Sequence, residues 1–272
     1  MDENINLETK EPSVAEPVSE ILDQTAQSND SGDFEIKEKP YSFFTSGLAY
    51  KFMLCFGIVF MSIIFVFQIM LSPILVIGTS MQPNVNASVV SETDEDHCDI
   101  VYYKQDKNYQ NNDMVIISNK NQNYVDDKDV RYLIKRVIAC PGQTLKFYVT
   151  SKDGTKYYYD IMVTNGKDNI DINASDPYIK EDMVFTYTEV ISLGSMFEMY
   201  KTIFSSLVAT GTFEMQIPNS SYFVMGDNRN NSEDSRYFGV VAYEDISGSV
   251  KIHVPYGKNV WEALFDKLKS IL

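Results

Sequence analysis

Ser80 lies in Gly78-Thr79-Ser80-Met81-Gln82-Pro83, a serine held in a turn bounded by glycine and proline. A serine hydroxyl is a poor nucleophile until a neighbouring base takes its proton, so the chemistry depends on which base the chain supplies. Only His97 and His253 exist. His253 falls mid-strand in Val250-Lys-Ile-His-Val-Pro255, where a packing or surface role is expected, and His97 lies in an exposed acidic loop with Asp94, Glu95, Asp96 and Asp99. Neither pattern supports a Ser-His-Asp triad. Lysine can serve instead where burial disfavours its ammonium and brings the pKa toward the working pH. Lys135 sits in the apolar run Tyr132-Leu-Ile-Lys-Arg-Val-Ile-Ala-Cys-Pro-Gly142, where alternation points it to the face opposite Ile134 and Arg136. On its own such a lysine would face solvent.

A third segment changes that reading. Gly226-Asp-Asn-Arg-Asn-Asn-Ser-Glu-Asp-Ser-Arg236 is a polar, glycine-led run between two apolar strands. Its carboxylates are interleaved with Arg229 and Arg236, so internal ion pairing accounts for it better than a calcium loop does. No metal site is expected.

These residues must be positioned by the elements around them. Residues 52–91 form a run of 40 without formal charge, and Phe52 to Leu71 is apolar enough and long enough, at about 1.5 Å per residue, for one bilayer crossing. Ser72-Pro73 should end that helix, leaving Ser80 a short extended segment from the headgroups. Lys37, Lys39 and Lys51 precede the span and the next basic residue is Lys104, which places the N-terminus in the cytoplasm by the positive-inside rule. The long lead and the lack of a small-x-small site before Gly78 favour a retained anchor over a cleaved signal peptide. Residues 1–45, with 11 acidic residues against three lysines, are expected to be a disordered tail. The net charge of −15 argues against a nucleic-acid partner.

Beyond Ser80 the chain reads as β-rich, with strand patterns at 99–103, 114–118, 132–139, 144–150, 156–164, 220–226 and 249–254 and a hairpin turn at Asp153-Gly154. Residues 147–218 carry no catalytic-looking cluster and read as an insertion between two halves of a core, 72–146 and 219–257. Trp261, Leu264, Phe265, Leu268 and Leu272 recur at helical spacing, predicting an amphipathic helix over 259–272 that packs on its own domain or lies on the bilayer. Cys98 and Cys140 could pair or remain free thiols.

Four segments together resemble the bacterial type I signal peptidases of the single-anchor, Gram-positive kind. They are Gly78–Pro83, Asn112-Asp-Met-Val-Ile116, Lys135-Arg-Val-Ile-Ala-Cys-Pro-Gly142 and Gly226–Arg236, in that order, with a weaker match at Asp176-Pro-Tyr-Ile-Lys-Glu181. The resemblance implies a mainly β fold: a signal-peptidase-type β-core with an inserted, cap-like β-rich subdomain, behind one transmembrane helix at 51–71. It implies Ser80 as nucleophile and Lys135 as general base, without cofactor, with Ser232 holding the lysine amine. Asp234 and Arg236 would form a supporting salt bridge, and Asp227 with Arg229 would shape the same loop. The Ser80 backbone N–H would be one oxyanion donor. Many relatives place a serine hydroxyl two residues before the nucleophile, where this chain has Gly78, so a main-chain or water contribution is expected there. Asn112 and Ala139 stand where glycines are common, and Gln143 where aspartate is.

The implied substrates are secretory preproteins with small residues before the cut, bound as an extended strand. Val76, Ile77, Met81, Leu133 and Ile134 would line the pockets. The implied location is the cell membrane, single-pass, with the catalytic domain extracellular. The rivals are a catalytically silent peptide-binding relative, which should lack Ser80, Lys135 or Ser232, and a self-cleaving Ser-Lys repressor, which should lack the membrane span.

Overall fold

The computed structural model describes residues 47–120, 124–125, 130–166, 169–171 and 181–270. The expected tail, the 176–180 part of the weaker match and Leu272 lie outside them. Helix α1, Gly47–Met70, is 24 residues long, about 36 Å at 1.5 Å per residue, and its side chains are almost wholly exposed apolar groups. It starts before Phe52, because Leu48 and Ala49 continue the apolar pattern, and it stops just ahead of Ser72-Pro73. Residues 47–67 meet the length and composition of one membrane crossing. Among the described residues, those up to Gly57 and those from Ile58 onward fall in separate units, and every described strand belongs to the second.

Among the described residues, twelve strands follow α1: β1 Ser72–Leu75, β2 Ile100–Lys104, β3 Met114–Ser118, β4 Tyr132–Ala139, β5 Thr144–Asp153, β6 Lys156–Thr164, β7 Asn169–Asp171, β8 Met183–Thr186, β9 Thr212–Gln216, β10 Ser221–Met225, β11 Val241–Ala242 and β12 Ile246–Val254. They form an antiparallel seven-stranded sheet in the order β1-β2-β12-β3-β4-β10-β11 and a five-stranded sheet ordered β7-β6-β5-β9, with β8 also on β6. β3, β4 and β6 span the residues their patterns predict, and Asp153 faces Lys156 across a turn where Gly154 has φ +59°. The fold is therefore the β-rich core behind one apolar helix that the sequence implied.

Two helices were not anticipated within the 147–218 segment: α2, Tyr187–Gly194, and α3, Glu198–Thr210. α2 begins with a capping box in which Thr186 and Glu189 satisfy each other's backbone amides, and α3 ends at Gly211 in the left-handed region, φ +76°. Tyr200, Ile203, Phe204 and Leu207 of α3 pack on Phe147, Tyr159, Ile161 and Phe185 of the five-stranded sheet. That cluster continues into Ile138, Phe223 and Met225, so β4 and β10 share a core with the 147–218 segment. The remaining helices are α4, Ser235–Phe238, and α5, Val260–Lys269.

Candidate active site

The segment leading to Ser80 is held from beneath by Asn86, a fully buried residue at φ +62°, a conformation asparagine tolerates better than most side chains. Its amide donates to the carbonyls of Val76 (2.7 Å) and Gly78 (2.8 Å), and its Oδ1 accepts from Asp99 N–H at 2.8 Å. Asp99 returns the contact by accepting from Asn86 N–H, from Tyr256 N–H and from the His253 ring, whose Nε2 lies 2.7 Å away. Burial alone would raise the Asp99 pKa, but these hydrogen bonds hold its carboxyl below the usual range. His253 is thus occupied in the scaffold, and His97 is paired with Asp94 in the acidic loop.

Ser80 meets Lys135 directly: Lys135 Nζ donates to Ser80 Oγ at 2.9 Å. Lys135 sits mid-β4, between β3 and β10, and is only 4% exposed. Burial pushes its pKa down to about 8, against the opposing pull of Asp234, Glu233 and Glu92, while Arg236 adds to the lowering. Near neutral pH a fraction of the amine is therefore uncharged and able to accept a proton across the same separation.

The glycine-led loop closes over this pair. Gly226 has no space for a side chain: a Cβ there would fall 2.2 Å from Ser232 Oγ and 2.4 Å from the Ser80 carbonyl oxygen. That carbonyl accepts from Asn228 N–H at 3.0 Å, and the Asn228 side chain donates to Thr79 O at 3.2 Å. Ser80 N–H has no acceptor among the described residues, so it remains open to a developing oxyanion. Ser232 Oγ is buried without a hydrogen-bond partner, not bonded to the lysine amine.

Asp234 is fully buried, caps α4 through Arg236 N–H, accepts from Gly226 N–H at 3.1 Å and pairs with the Arg236 guanidinium at 2.7 Å. Burial would raise its pKa, yet the charge of Arg236 holds it lowered. Asp227 and Arg229 both make contacts at the loop. Arg136 of β4 grips Asp227 with Nε at 2.6 Å and Nη2 at 2.5 Å, while Arg229 donates to Gly226 O. Asp227 also accepts from Asn84 at 2.8 Å, so the pair ties the Ser80 turn to the loop.

Of the expected pocket residues, Val76, Met81 and Ile134 are buried in one cluster with Val85, Val101 and Ile116. Ile77 is 51% exposed, and Leu133 packs in a different cluster with Val115, Ile117 and Val137. The departures in the four segments have local reasons. Asn112 adopts φ +73°, where glycine is the usual residue, and Gln143 Oε1 accepts from Cys140 N–H at 2.7 Å, as a carboxylate would. Cys98 and Cys140 are free thiols.

Sequence reasoning missed Asn86, Asn228, Arg136 and above all Glu92. The Glu92 carboxylate accepts from Thr79 N–H at 3.1 Å and from the Thr79 hydroxyl, with Asn231 at 3.4 Å. It lies where a Gly78 side chain would point, 2.8 Å from an added Cβ. Its only signal is being the first charge after the 40-residue uncharged run.

An antiparallel β-core behind one apolar helix, with a serine hydroxyl against a buried lysine amine, is the arrangement of a membrane-anchored serine hydrolase. Known proteins similar to the chain narrow the class. Residues 49–255 match the family described as signal peptidase, peptidase S26, and the chain belongs to that family. Signal peptidase I U of Bacillus subtilis is 29% identical over 188 residues, covering 68% of this chain and 77% of the relative. Signal peptidase I V of the same organism is 35% identical over 122 residues, covering 45% and 57%. Signal peptidase IB of Staphylococcus aureus is 26% identical over 211 residues, covering 74% and 86%. A signal peptidase I crystal structure from Enterococcus faecalis aligns with a TM-score of 0.28 at 21% identity, covering 53% of this chain and 98% of that one. The protein is accordingly a membrane-anchored serine peptidase of the signal peptidase I type.

Proposed function

We propose that Ser80 and Lys135 are the catalytic pair of this peptidase and that it removes signal peptides from exported preproteins. The observation that carries this reading is the 2.9 Å contact between Ser80 Oγ and the amine of a lysine buried enough to lose its proton near neutral pH. Neutral Lys135 takes the Ser80 proton as Oγ attacks the scissile carbonyl, and the oxyanion forms against Ser80 N–H. The lysinium then protonates the leaving amine, freeing the mature chain and leaving the signal peptide esterified to Ser80. Water, deprotonated by the same amine, releases it. The unpartnered Ser232 hydroxyl is available to hold the amine during these transfers.

The substrate class follows from the family and from the location of the site. Val76 and Met81 flank Ser80 in the chain and share a buried apolar cluster with Ile134, a floor that would suit small side chains before the cut. The lysine asymmetry around α1 supports a cytoplasmic N-terminus and an extracellular core, where exported chains emerge. Residues 147–218 are read as the insertion and 72–146 with 219–257 as the catalytic core.

The test is to incubate the detergent-solubilised full chain with a preprotein carrying Ala-x-Ala before its mature region and to locate the new N-terminus by mass spectrometry. Cleavage after the second alanine, lost in Ser80→Ala and Lys135→Ala, is expected. A cut elsewhere, or undiminished cleavage by either variant, overturns the reading; no cleavage by the unmodified chain would favour the silent relative.

A further inference from the structure

Helix α5 divides into three faces. Val260, Ala263 and Leu264 pack against Ile252 and Val254 of β12. Glu262, Asp266 and Lys269 form a charged stripe about 200° away around the helix at 100° per residue. Between them lies a third stripe, Trp261, Phe265 and Leu268, one turn apart from one another and 57%, 62% and 55% exposed. A single-domain amphipathic helix needs only one apolar face, and that face is already satisfied by β12.

The surroundings identify what covers the second. The cluster that receives α5 also contains Phe67, in the last turn of α1, and Leu71, just past its end, with the Phe67 ring tilted against Tyr102 of β2 at a centroid distance of 6.0 Å. α5 therefore lies against the C-terminal end of α1. Its rotation is fixed by a capping box between Asn259 and Glu262 and by Lys267, which donates to the Lys251 carbonyl. An indole at headgroup level, with Lys258 and Lys269 close by, is the side-chain chemistry of a membrane interface.

We propose that the Trp261-Phe265-Leu268 stripe is a second membrane contact, lying in the interfacial layer of the bilayer with the Glu262-Asp266 stripe turned to water. The proposal rests on α1 being the membrane anchor. With it, the catalytic core is held to the bilayer at two points rather than swinging on one tether.

Trp261 is the chain's single tryptophan, so its emission reports this stripe alone. The full chain is reconstituted at low protein-to-lipid ratio in phosphatidylcholine–phosphatidylglycerol vesicles, with and without phosphatidylcholine brominated near the headgroup end of its acyl chains. Brominated lipid is expected to cut the emission at least twofold, while aqueous acrylamide quenches it weakly. In W261F/D266W, which moves the indole to the charged stripe, the pattern is expected to reverse. Emission unchanged by brominated lipid overturns the proposal. So does protection from acrylamide without lipid quenching, which would put a second protein over the stripe, and so does equal lipid quenching of both variants. Preprotein cleavage is measured on the same vesicles, so that loss of the contact and failure of the peptidase reading are separate results.

Discussion

Glu92 closes on Thr79 through both carboxylate oxygens, and in doing so occupies the ground beside Gly78 where a side chain two residues before Ser80 would lie. Gly78, at φ +92°, admits no side chain without strain, and an added one would meet the carboxylate. Gly78→Ser is therefore expected to lower kcat by about tenfold or more rather than supply a new oxyanion donor. Pairing it with Glu92→Ala should recover part of the loss. A double variant no better than Gly78→Ser alone would count against the clash.

Removing Glu92 should also be felt at Lys135. The carboxylate raises the lysine's pKa, opposing the burial that lowers it. Glu92→Gln retains an acceptor for Thr79 N–H but not the charge, so the acid limb of its kcat/KM profile is expected to move to lower pH with thermal stability nearly unchanged. Steady-state kinetics from pH 6 to 10 would show it.

The same profile in the unmodified enzyme follows from the pKa of about 8 at Lys135. The active form is the neutral amine, so activity is lost as pH falls: kcat/KM should drop about tenfold per unit below 8 and level off above it. Lys135→Arg cannot reach a neutral base at usable pH and should lose at least about a thousandfold.

Gly226→Ala is expected to be nearly inactive while folded. The added methyl would overlap the Ser80 carbonyl oxygen and Ser232 Oγ, both within 2.4 Å, so the nucleophile turn or the loop must shift. Circular dichroism and active-site titration separate the two effects.

Arg136→Ala should act through stability. It strips Asp227 of a buried, two-pronged partner, and breaking such a pair costs about 3–5 kcal/mol. Lys at this position cannot reproduce the fork and should recover only part of that. Chemical denaturation of the detergent-solubilised chain measures the difference.

What could be read from the residues was what local pattern encodes. The 20-residue apolar span, the alternation of β3, β4 and β6, and the joint presence of Ser80, Lys135 and the loop at 226–236 led to the fold and the family without coordinates. Contacts made across long separations were not legible. Arg136 follows Lys135 in the chain and nothing in its neighbours announces Asp227, 91 positions on, as its partner. Glu92 had no local signal beyond ending the uncharged run, because its partner Thr79 lies 13 positions back. α2 was missed for a different reason: Thr186-Tyr-Thr-Glu189 is a capping box in plain sequence, but the helix it opens is only eight residues long, too short for a clear helical period.

One further consequence concerns the 147–218 segment. Arg236 donates through Nη1 to the Tyr159 hydroxyl of β6, and Asn230 donates to Asp182 O while accepting from Val184 N–H. The segment cannot then be treated as an interchangeable module. Excising it, or grafting in one from a relative, would leave a buried guanidinium short of an acceptor beside Asp234, so hybrids of this enzyme should work only where the graft brings its own phenol to that spot.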